Sequence, residues 1–345
     1  MQNIQALDSR WSLFSTAIGD GNDRKNLSTI FIDAHTHVAF PAYDEDRDAV
    51  MFRAQEAGVK MITVGTQVSS SRAAIELAHK YPEDVWATVG YHPAHAVIER
   101  SSTICPSTVY PDRSIGAVGA DSGLAGIWHH DKNEQKENTP EAFDIEALEA
   151  LARDPKVVAI GECGLDYFRI TNNELGIKNK QKEIFEAQIE LAHRVQKPLM
   201  IHCRSAFPDL IAAIIHNSKF IIHDNPGIIH FFSGTPAEAR ELLDMGFAFT
   251  FGGVITFSRD YDEVIKILPL ERILSETDAP YVAPEPYRST PLESRRLPTG
   301  QARNEPAYVV EVVKKIAKIK GLTTEKMAER ILENTKIIFG ISSDK

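Results

Sequence analysis

Histidine and acidic side chains that could bind metal ions recur along this 345-residue chain. His35 and His37 are separated by one residue. Because side chains alternate in an extended segment, both imidazoles would point to the same side and could bind one ion. The other candidate ligands, in chain order, are Glu162, His202, His230 and Asp278. A mixture of nitrogen and oxygen ligands suits zinc, manganese, nickel and similar divalent ions better than a thiolate-rich site does.

A carboxylate that bridges two ions would make these ligands a hydrolytic centre. Two ions about 3.5–4 Å apart lower the pKa of a shared water, so that hydroxide is available near neutral pH. Glu162 is the natural bridge because it comes from the middle of the predicted strand order. Asp278 could bind one ion and also accept a proton from the attacking water, which would make it both ligand and general base.

Each candidate also has a simpler interpretation. A single His-x-His is common outside metal sites, and His202 by itself could be a buried core residue. Glu162 could cap a helix, and Asp278 could form a turn before Ala279 and Pro280. Random placement would rarely put all six residues at the ends of successive strands. We therefore predict a site for two divalent ions, with zinc, manganese, magnesium and nickel as the candidates.

Eight short apolar runs, rich in β-branched residues, predict eight strands. They span residues 28–33, 59–65, 85–90, 157–161, 198–203, 227–232, 247–253 and 271–276. Helical spacing fills most of the intervals between them, for example residues 46–58 and 178–196. Alternating strands and helices predict a parallel sheet, and eight apolar strands predict a (β/α)8 barrel of the TIM type. The carboxyl ends of such strands meet at one rim, so ligands that are distant in sequence become neighbours.

Two further residues follow predicted strands at this rim. His92 comes after the third strand, and Arg204 comes directly after the fifth. Together with Glu162 and Asp278 they complete the predicted catalytic set, in which His92 and Arg204 steady a phosphate or a developing charge. For Arg204, a structural ion pair is an equal alternative to phosphate binding.

The chain is predicted to form one barrel domain over residues 28–345, after an N-terminal extension of residues 1–27. Two polar segments, 101–140 and 284–303, interrupt the alternation of strands and helices. Both follow strands, so both should overhang the rim and affect substrate preference. The second segment contains four arginines that could supply positive potential or could simply be solvated, namely Arg288, Arg295, Arg296 and Arg303.

Composition limits the partners and the compartment. The 38 basic and 48 acidic residues give a net charge of −10, which opposes non-specific binding to anionic polymers and membranes. The three cysteines show no paired metal-binding spacing and suggest a reducing compartment. No apolar run is long enough for a membrane helix. These features predict a soluble cytoplasmic protein with no membrane association, and they imply no obligate protein partner.

A set of motifs in order resembles the TatD family of metal-dependent deoxyribonucleases, which are amidohydrolase-like barrels. The motifs are FIDAHTHV at 31–38, VGYHP at 89–93, IGECGLDYF at 160–168, PLMIHCR at 198–204, IIHFFSG at 228–234, LSETDAPYVAPEP at 274–286 and ARNEP at 302–306. The resemblance runs from about Phe31 to Phe339. It implies that His35, His37, Glu162 and Asp278 hold one ion, and that Glu162, His202 and His230 hold the other.

The resemblance also implies hydrolysis of DNA phosphodiesters with 3′ exonuclease character, using metal-activated water. Glu162 takes the bridging place that a carbamylated lysine has in some related barrels. The N-terminal extension and the two polar segments are longer than is typical of the family, which leaves the substrate open. One alternative on the same two-metal barrel is a hydrolase of a small ester, amide or phosphotriester. Another is a barrel that only binds nucleic acid or protein and keeps vestigial ligands.

Overall fold

The computed structural model describes residues 29–96, 141–168, 170, 175–222, 225–289, 297 and 301–341. Three predictions therefore fall wholly or partly outside the described residues: the extension at 1–27, the segment at 101–140 and much of the segment at 284–303. The predicted domain boundaries stay predictions.

The eight predicted strands form one parallel sheet in the order β1 to β8, which confirms the (β/α)8 barrel. The strands are β1 Phe31–Thr36, β2 Val59–Val64, β3 Val85–Val89, β4 Val157–Asp166, β5 Leu199–Arg204, β6 Gly227–Ile229, β7 Ala248–Phe251 and β8 Ile273–Ser275. Every residue of β4, β6, β7 and β8 is buried. Burial on both faces is expected when one face lines the barrel and the other is covered by helices.

Helices follow the strands along the chain and cover the barrel. They are α1 Arg47–Glu56, α2 Val68–Lys80, α3 Ile145–Ala152, α4 Leu175–Val195, α5 Phe207–His216, α6 Pro236–Asp244, α7 Asp262–Ile267, α8 Val309–Lys320 and α9 Thr324–Phe339. Helix α6 begins at a reciprocal capping box that Thr235 and Glu238 form. Within the described residues, none of the helices has the length and apolar character needed to span a membrane.

Strand β4 is longer than the sequence predicts and continues to Asp166. A side chain at Gly164, which has φ +132°, would collide with the carbonyl oxygen of His202 on β5 at 2.0 Å. Glycine therefore permits the close approach that lets β4 continue alongside β5.

Bulges interrupt the strand pairing at two positions that matter for the site. Between Ile160 and Cys163, β4 has two residues opposite one residue of β5. Strand β1 has the same irregularity against β2 between Asp33 and Thr36. The extra residues include Glu162 in the first case and His35 in the second. A bulge changes the direction of the side chains at that point, which the simple alternation along a strand does not reveal.

The barrel closes through contacts between β8 and β1. The Ser275 hydroxyl donates to the carbonyl oxygen of Ile32 at 2.7 Å. Just beyond the strands, the Asp278 amide donates to the His35 carbonyl at 2.9 Å, and the His37 amide donates to the Ala279 carbonyl at 2.7 Å. These bonds join the first and last parts of the barrel directly beside the predicted ligands.

Candidate metal centre

The six predicted ligands lie together at the carboxyl ends of the strands. His35 is the fifth residue of β1 and His37 follows that strand, whereas Glu162 lies within β4. His202 lies in β5, His230 comes directly after β6, and Asp278 comes three residues after β8. All of them except His202 and Asp278 are buried, and these two are only partly exposed. The arrangement consists of two clusters that share the carboxylate of Glu162.

We call His35, His37, Asp278 and the Oε2 atom of Glu162 the first cluster. The Nε2 atoms of His35 and His37 lie 3.1 Å apart, and each lies 3.4 Å from Oε2 of Glu162. Oδ1 of Asp278 lies 3.6 Å from Nε2 of His35 and 3.4 Å from Nε2 of His37. Four potential ligand atoms thus surround one point.

We call His202, His230 and the Oε1 atom of Glu162 the second cluster. Oε1 lies 2.9 Å from Nδ1 of His202 and 3.0 Å from Nε2 of His230. The two imidazole nitrogens lie 3.3 Å apart. Glu162 therefore directs one carboxylate oxygen to each cluster, which is the geometry that a bridging ligand requires.

The ligand atoms of each cluster are close enough together to contact one divalent ion. Ligands at about 2.0–2.2 Å from a tetrahedral ion lie roughly 3.3–3.6 Å from one another. The histidine-to-carboxylate distances in the first cluster, 3.4–3.6 Å, are within that range. The distances in the second cluster, 2.9, 3.0 and 3.3 Å, are at or below its lower end. Buried imidazole nitrogens and carboxylate oxygens in this arrangement are also the donor types that first-row divalent ions prefer. The side chains therefore fit two ions, although the number and identity of the ions stay predictions.

Partners behind the rings orient two of the histidines. Nδ1 of His37 lies 3.3 Å from the carbonyl oxygen of Val64, to which only an N–H can donate. The proton of a neutral His37 is thereby assigned to Nδ1, and the lone pair of Nε2 faces the first cluster. Nδ1 of His202 faces the second cluster because its other nitrogen, Nε2, lies 3.1 Å from Oδ2 of Asp166.

His92 lies beside the second cluster with a different proton arrangement. Its Nδ1 accepts the backbone N–H of Ala94 at 3.1 Å, so the proton of a neutral His92 is on Nε2. Nε2 lies 3.2 Å from Oε1 of Glu162. His92 is thus arranged as a hydrogen-bond donor to Glu162, and its catalytic role stays a prediction.

Arg204 pairs with Asp166 at the edge of the site. Its Nη2 and Nε lie 2.7 and 3.2 Å from the two carboxylate oxygens. The guanidinium also lies over the ring of Phe168 at 4.5 Å. The ion-pair interpretation of Arg204 is therefore observed, and the phosphate-binding role stays a prediction.

Two acidic residues of the site were missed by the sequence reasoning. Asp166 contacts His202 as described, and Glu276 is fully buried behind His230, with its Oε2 3.5 Å from Nδ1 of that ring. Both lie within the quoted motifs GLD and SETD. For Glu276 a usable signal was its position two residues before Asp278, directly after the eighth predicted strand.

The charges in the site shift the pKa values of several ligands. Burial alone would raise the pKa of Glu162, but the neighbouring His92, His230 and His35 hold it well below its usual value. Burial lowers the pKa of His35. Burial alone would also lower the pKa of His230, but the carboxylates of Glu162 and Glu276 hold it well above its usual value. Ionised Glu162 and neutral His35 are already in the forms that bind metal ions.

Two of the four arginines of the second polar segment are described, and their environments differ. Arg303 forms an ion pair with Asp46 through Nη1 at 2.8 Å and Nη2 at 2.6 Å, so it does not supply the free positive charge considered above. Arg288 is exposed, and its guanidinium lies over the ring of Phe257 at 4.3 Å. Arg295 and Arg296 lie outside the described residues.

Comparisons with known proteins identify the family. The model of the family described as TatD related DNase matches residues 32–340. The chain is 31% identical over 316 residues to the uncharacterized metal-dependent hydrolase YabD of Bacillus subtilis, covering 91% of this chain and 100% of that protein. It is 30% identical over 314 residues to a Pantoea vagans protein named 3'-5' ssDNA/RNA exonuclease TatD, covering 90% and 99%.

Solved structures share the same barrel. The TatD homologue YjjV of Escherichia coli superposes with a TM-score of 0.66 at 24% identity, covering 90% of this chain and 98% of that chain. A TatD family hydrolase from Entamoeba histolytica gives the same TM-score of 0.66 at 22% identity, with coverage of 90% and 98%. At these identities the similarity concerns the fold, which agrees with the strand order described above.

Proposed function

This chain belongs to the TatD related DNase family, and from that premise we propose that it is a divalent-metal-dependent 3′ exonuclease that hydrolyses single-stranded DNA. The observation that carries the proposal is the position of Glu162. Its two carboxylate oxygens lie within 3.4 Å of ligand atoms in two separate clusters. Two sites that share one carboxylate are the arrangement that hydrolases of phosphate esters use.

The side chains divide between holding the ions and handling protons. Two divalent ions, when bound, would activate water and stabilise the attacking and leaving oxygens. His35, His37 and Asp278 would hold one ion and His202 and His230 the other, with Glu162 bound to both. These assignments are supported by the distances within the two clusters.

Asp278 is the ligand best placed to accept a proton. Its side chain is 18% exposed, whereas those of His35, His37 and Glu162 are at most 4% exposed. Because it reaches the open side of the first cluster, its carboxylate can contact both an ion and an incoming water. We assign to Asp278 the removal of a proton from that water.

Arg204 would act on the substrate, and His92 would act through Glu162, without binding an ion. The Nε2 proton of His92 points to Glu162 Oε1, so His92 holds positive potential beside the second cluster. Arg204 uses Nε and Nη2 for Asp166, and its side chain is 17% exposed. Its remaining N–H groups can donate to a phosphate oxygen. Both roles increase the positive potential at the site of a molecule whose net charge is −10.

Labelled oligonucleotides test the proposal directly. Purified protein would be incubated with Mg²⁺, Mn²⁺ or Zn²⁺ and single-stranded DNA labelled at its 3′ or its 5′ end. We expect early release of the 3′ label as mononucleotide, a ladder of shortened 5′-labelled products, and complete inhibition by a chelator. Absence of chelator-sensitive cleavage with all three metals would overturn the nuclease proposal, and early loss of the 5′ label would overturn the 3′ direction.

Two variants and one further substrate complete this experiment. His202→Ala should remain folded by circular dichroism and lose cleavage, which would exclude a contaminating nuclease. Single-stranded RNA of the same sequence tests a second substrate, because the relatives are named for both DNA and RNA. The small-molecule and non-enzymatic alternatives receive no support from these relatives, and we do not propose them.

A further inference from the structure

We propose that Glu276 is a positioning residue that holds His230 in the tautomer and orientation that the second cluster requires. This inference rests on the two-metal site proposed above. It adds to that site a buried carboxylate that lies behind a ligand and that is not one of the predicted ligands.

Glu276 is enclosed in the protein and has few polar neighbours. Its exposure is 0%, and it follows directly after β8. Among the described residues, no lysine or arginine lies within ion-pair distance of it. Its charged neighbour is His230, whose Nδ1 lies 3.5 Å from Oε2. A buried carboxylate is unfavourable without a partner, and among the described residues that contact Glu276 the imidazole of His230 is the group that can offer it a positive charge.

A hydroxyl from the neighbouring strand shows that Glu276 is an acceptor. Oγ1 of Thr250, on β7, accepts the backbone N–H of Phe231 at 2.9 Å and lies 2.5 Å from Oε2 of Glu276. Since Thr250 has a single hydroxyl proton, that proton points to Glu276. The same hydroxyl therefore links Glu276 to the backbone immediately after His230, where Phe231 has the unusual φ of +44°.

The unpaired atoms of this region point to the same contact. Nδ1 of His230 and Oε1 of Glu276 are both buried and lack a hydrogen-bond partner. One is a potential donor and the other an acceptor, and they belong to adjacent side chains. In the neutral form of His230, in which an ion would replace the proton on Nε2, a proton on Nδ1 that points to Glu276 leaves the lone pair of Nε2 directed to the second cluster, 3.0 Å from Oε1 of Glu162.

A carboxylate behind a ligand histidine fixes the ring and increases its basicity. His202 has the same kind of support from Asp166, 3.1 Å from its Nε2. Both histidines of the second cluster are thus backed by carboxylates from other strands, Asp166 from the adjacent β4 and Glu276 from the end of β8. In contrast, the corresponding nitrogens of His35 and His37 face the sulfur of Met200 and the carbonyl of Val64. We therefore expect the affinity for the second-cluster ion, and not for the first, to depend on a buried acid.

Calorimetric titration of the metal-free protein with Mn²⁺ tests the inference without reference to nuclease activity. The wild type should bind two ions in separable steps. Glu276→Gln preserves the size of the side chain but removes its charge. It should weaken binding of the second-cluster ion roughly 10–100-fold and change the affinity for the first-cluster ion by no more than about twofold. Ser275→Ala is the matched control, because this buried neighbour on β8 contacts the Ile32 carbonyl and no ligand.

A double variant assigns the affected step. His202→Ala should abolish one binding step, and adding Glu276→Gln should not weaken the remaining step further, because both substitutions act on the same ion. Thr250→Val removes the hydroxyl without changing a charge and should weaken the same step to a smaller extent. It also keeps the inference testable if Glu276→Gln fails to fold.

Three outcomes would overturn the inference. In the first, Glu276→Gln binds both ions as the wild type does. In the second, the substitution weakens both ions equally. In the third, the variant that carries both His202→Ala and Glu276→Gln no longer binds the ion that His202→Ala alone still binds. A wild-type protein that binds fewer than two ions would overturn the proposed two-metal site together with this inference. Two bound ions with no effect of Glu276→Gln would overturn the positioning role alone.

Discussion

The two clusters share Glu162 but are held in place by different kinds of interaction. Main-chain hydrogen bonds between the end of β1 and the segment after β8 support the first cluster. The Asp278 amide donates directly to the His35 carbonyl. Buried acids support the second cluster, with Asp166 behind His202 and Glu276 near His230. A backbone frame tolerates many side-chain substitutions, whereas a pair of buried side chains depends on both members.

The backbone frame of the first cluster has one side-chain clamp. Asn304 is fully buried, and its amide group donates to the carbonyl oxygens of Thr277 at 2.8 Å and Tyr281 at 2.7 Å. These carbonyls flank Asp278, whose φ of +53° is unusual for a residue other than glycine. Asn304 thus stabilises a strained turn that presents a ligand.

The largest effect is expected from a substitution that removes Glu162, the side chain that the two clusters share. Glu162→Ala should eliminate binding of both ions in the affinity range of the wild type and lower kcat by roughly 10³-fold or more, because each ion loses a ligand. Metal analysis by mass spectrometry and the oligonucleotide assay measure the two effects. Glu263→Ala, an exposed acid on α7, is the control and should change neither. Retention of one tightly bound ion by Glu162→Ala would contradict the bridging role.

His92 should separate catalysis from ion binding. His92→Phe removes the Nε2 proton that points to Glu162 but no predicted ligand, so we expect both ions to remain while kcat falls about 10²-fold. His79→Phe, on the exposed surface of α2, serves as the control. If His92→Phe lost an ion, His92 would be a ligand of the second cluster.

Substitution of Asp166 should change the ion affinity of one cluster and not of the other. Asp166→Asn weakens the support of His202, so the second ion should bind about 10–100-fold more weakly while the first is unchanged. Calorimetric titration with Mn²⁺ resolves the two ions. Asp209→Asn is a suitable control because Asp209 contacts Tyr167 and Lys182 but no site histidine. An equal loss at both ions would show that the clusters are not supported separately.

The smallest effect on the site is expected from Asn304. Asn304→Ala should destabilise the fold by about 1–3 kcal/mol, because buried carbonyls lose their donor, and it should weaken only the first ion by a few-fold. Urea unfolding and metal titration measure the two changes. Asn334→Ala is a close match, since Asn334 also donates to two carbonyls, those of Leu270 at 2.7 Å and Ile273 at 2.9 Å, but lies on α9 and contacts no ligand. Identical ion affinities in the two variants would contradict the clamp.

Local sequence patterns were sufficient to predict the fold and to place the candidate ligands at one rim of the barrel. Apolar runs of strand length predicted all eight strands, because a parallel barrel strand is buried on both faces and carries that burial in its own sequence. The carboxyl ends of parallel strands share one rim, so residues as distant as His35 and Asp278 could be placed together before their contacts were known.

Tertiary structure decided how those residues are used. The bulges at His35 and Glu162 depend on pairing between strands, which an isolated strand pattern does not encode. Contacts between distant loops likewise decided that Arg303 is held in an ion pair with Asp46, whereas Arg288 is exposed. The support from Asp166 and Glu276 arises in the same way, from neighbours on other strands. Sequence alone thus determined the types of the ligands and their rim, because those follow from local periodicity, whereas their orientation depends on the register of a closed barrel.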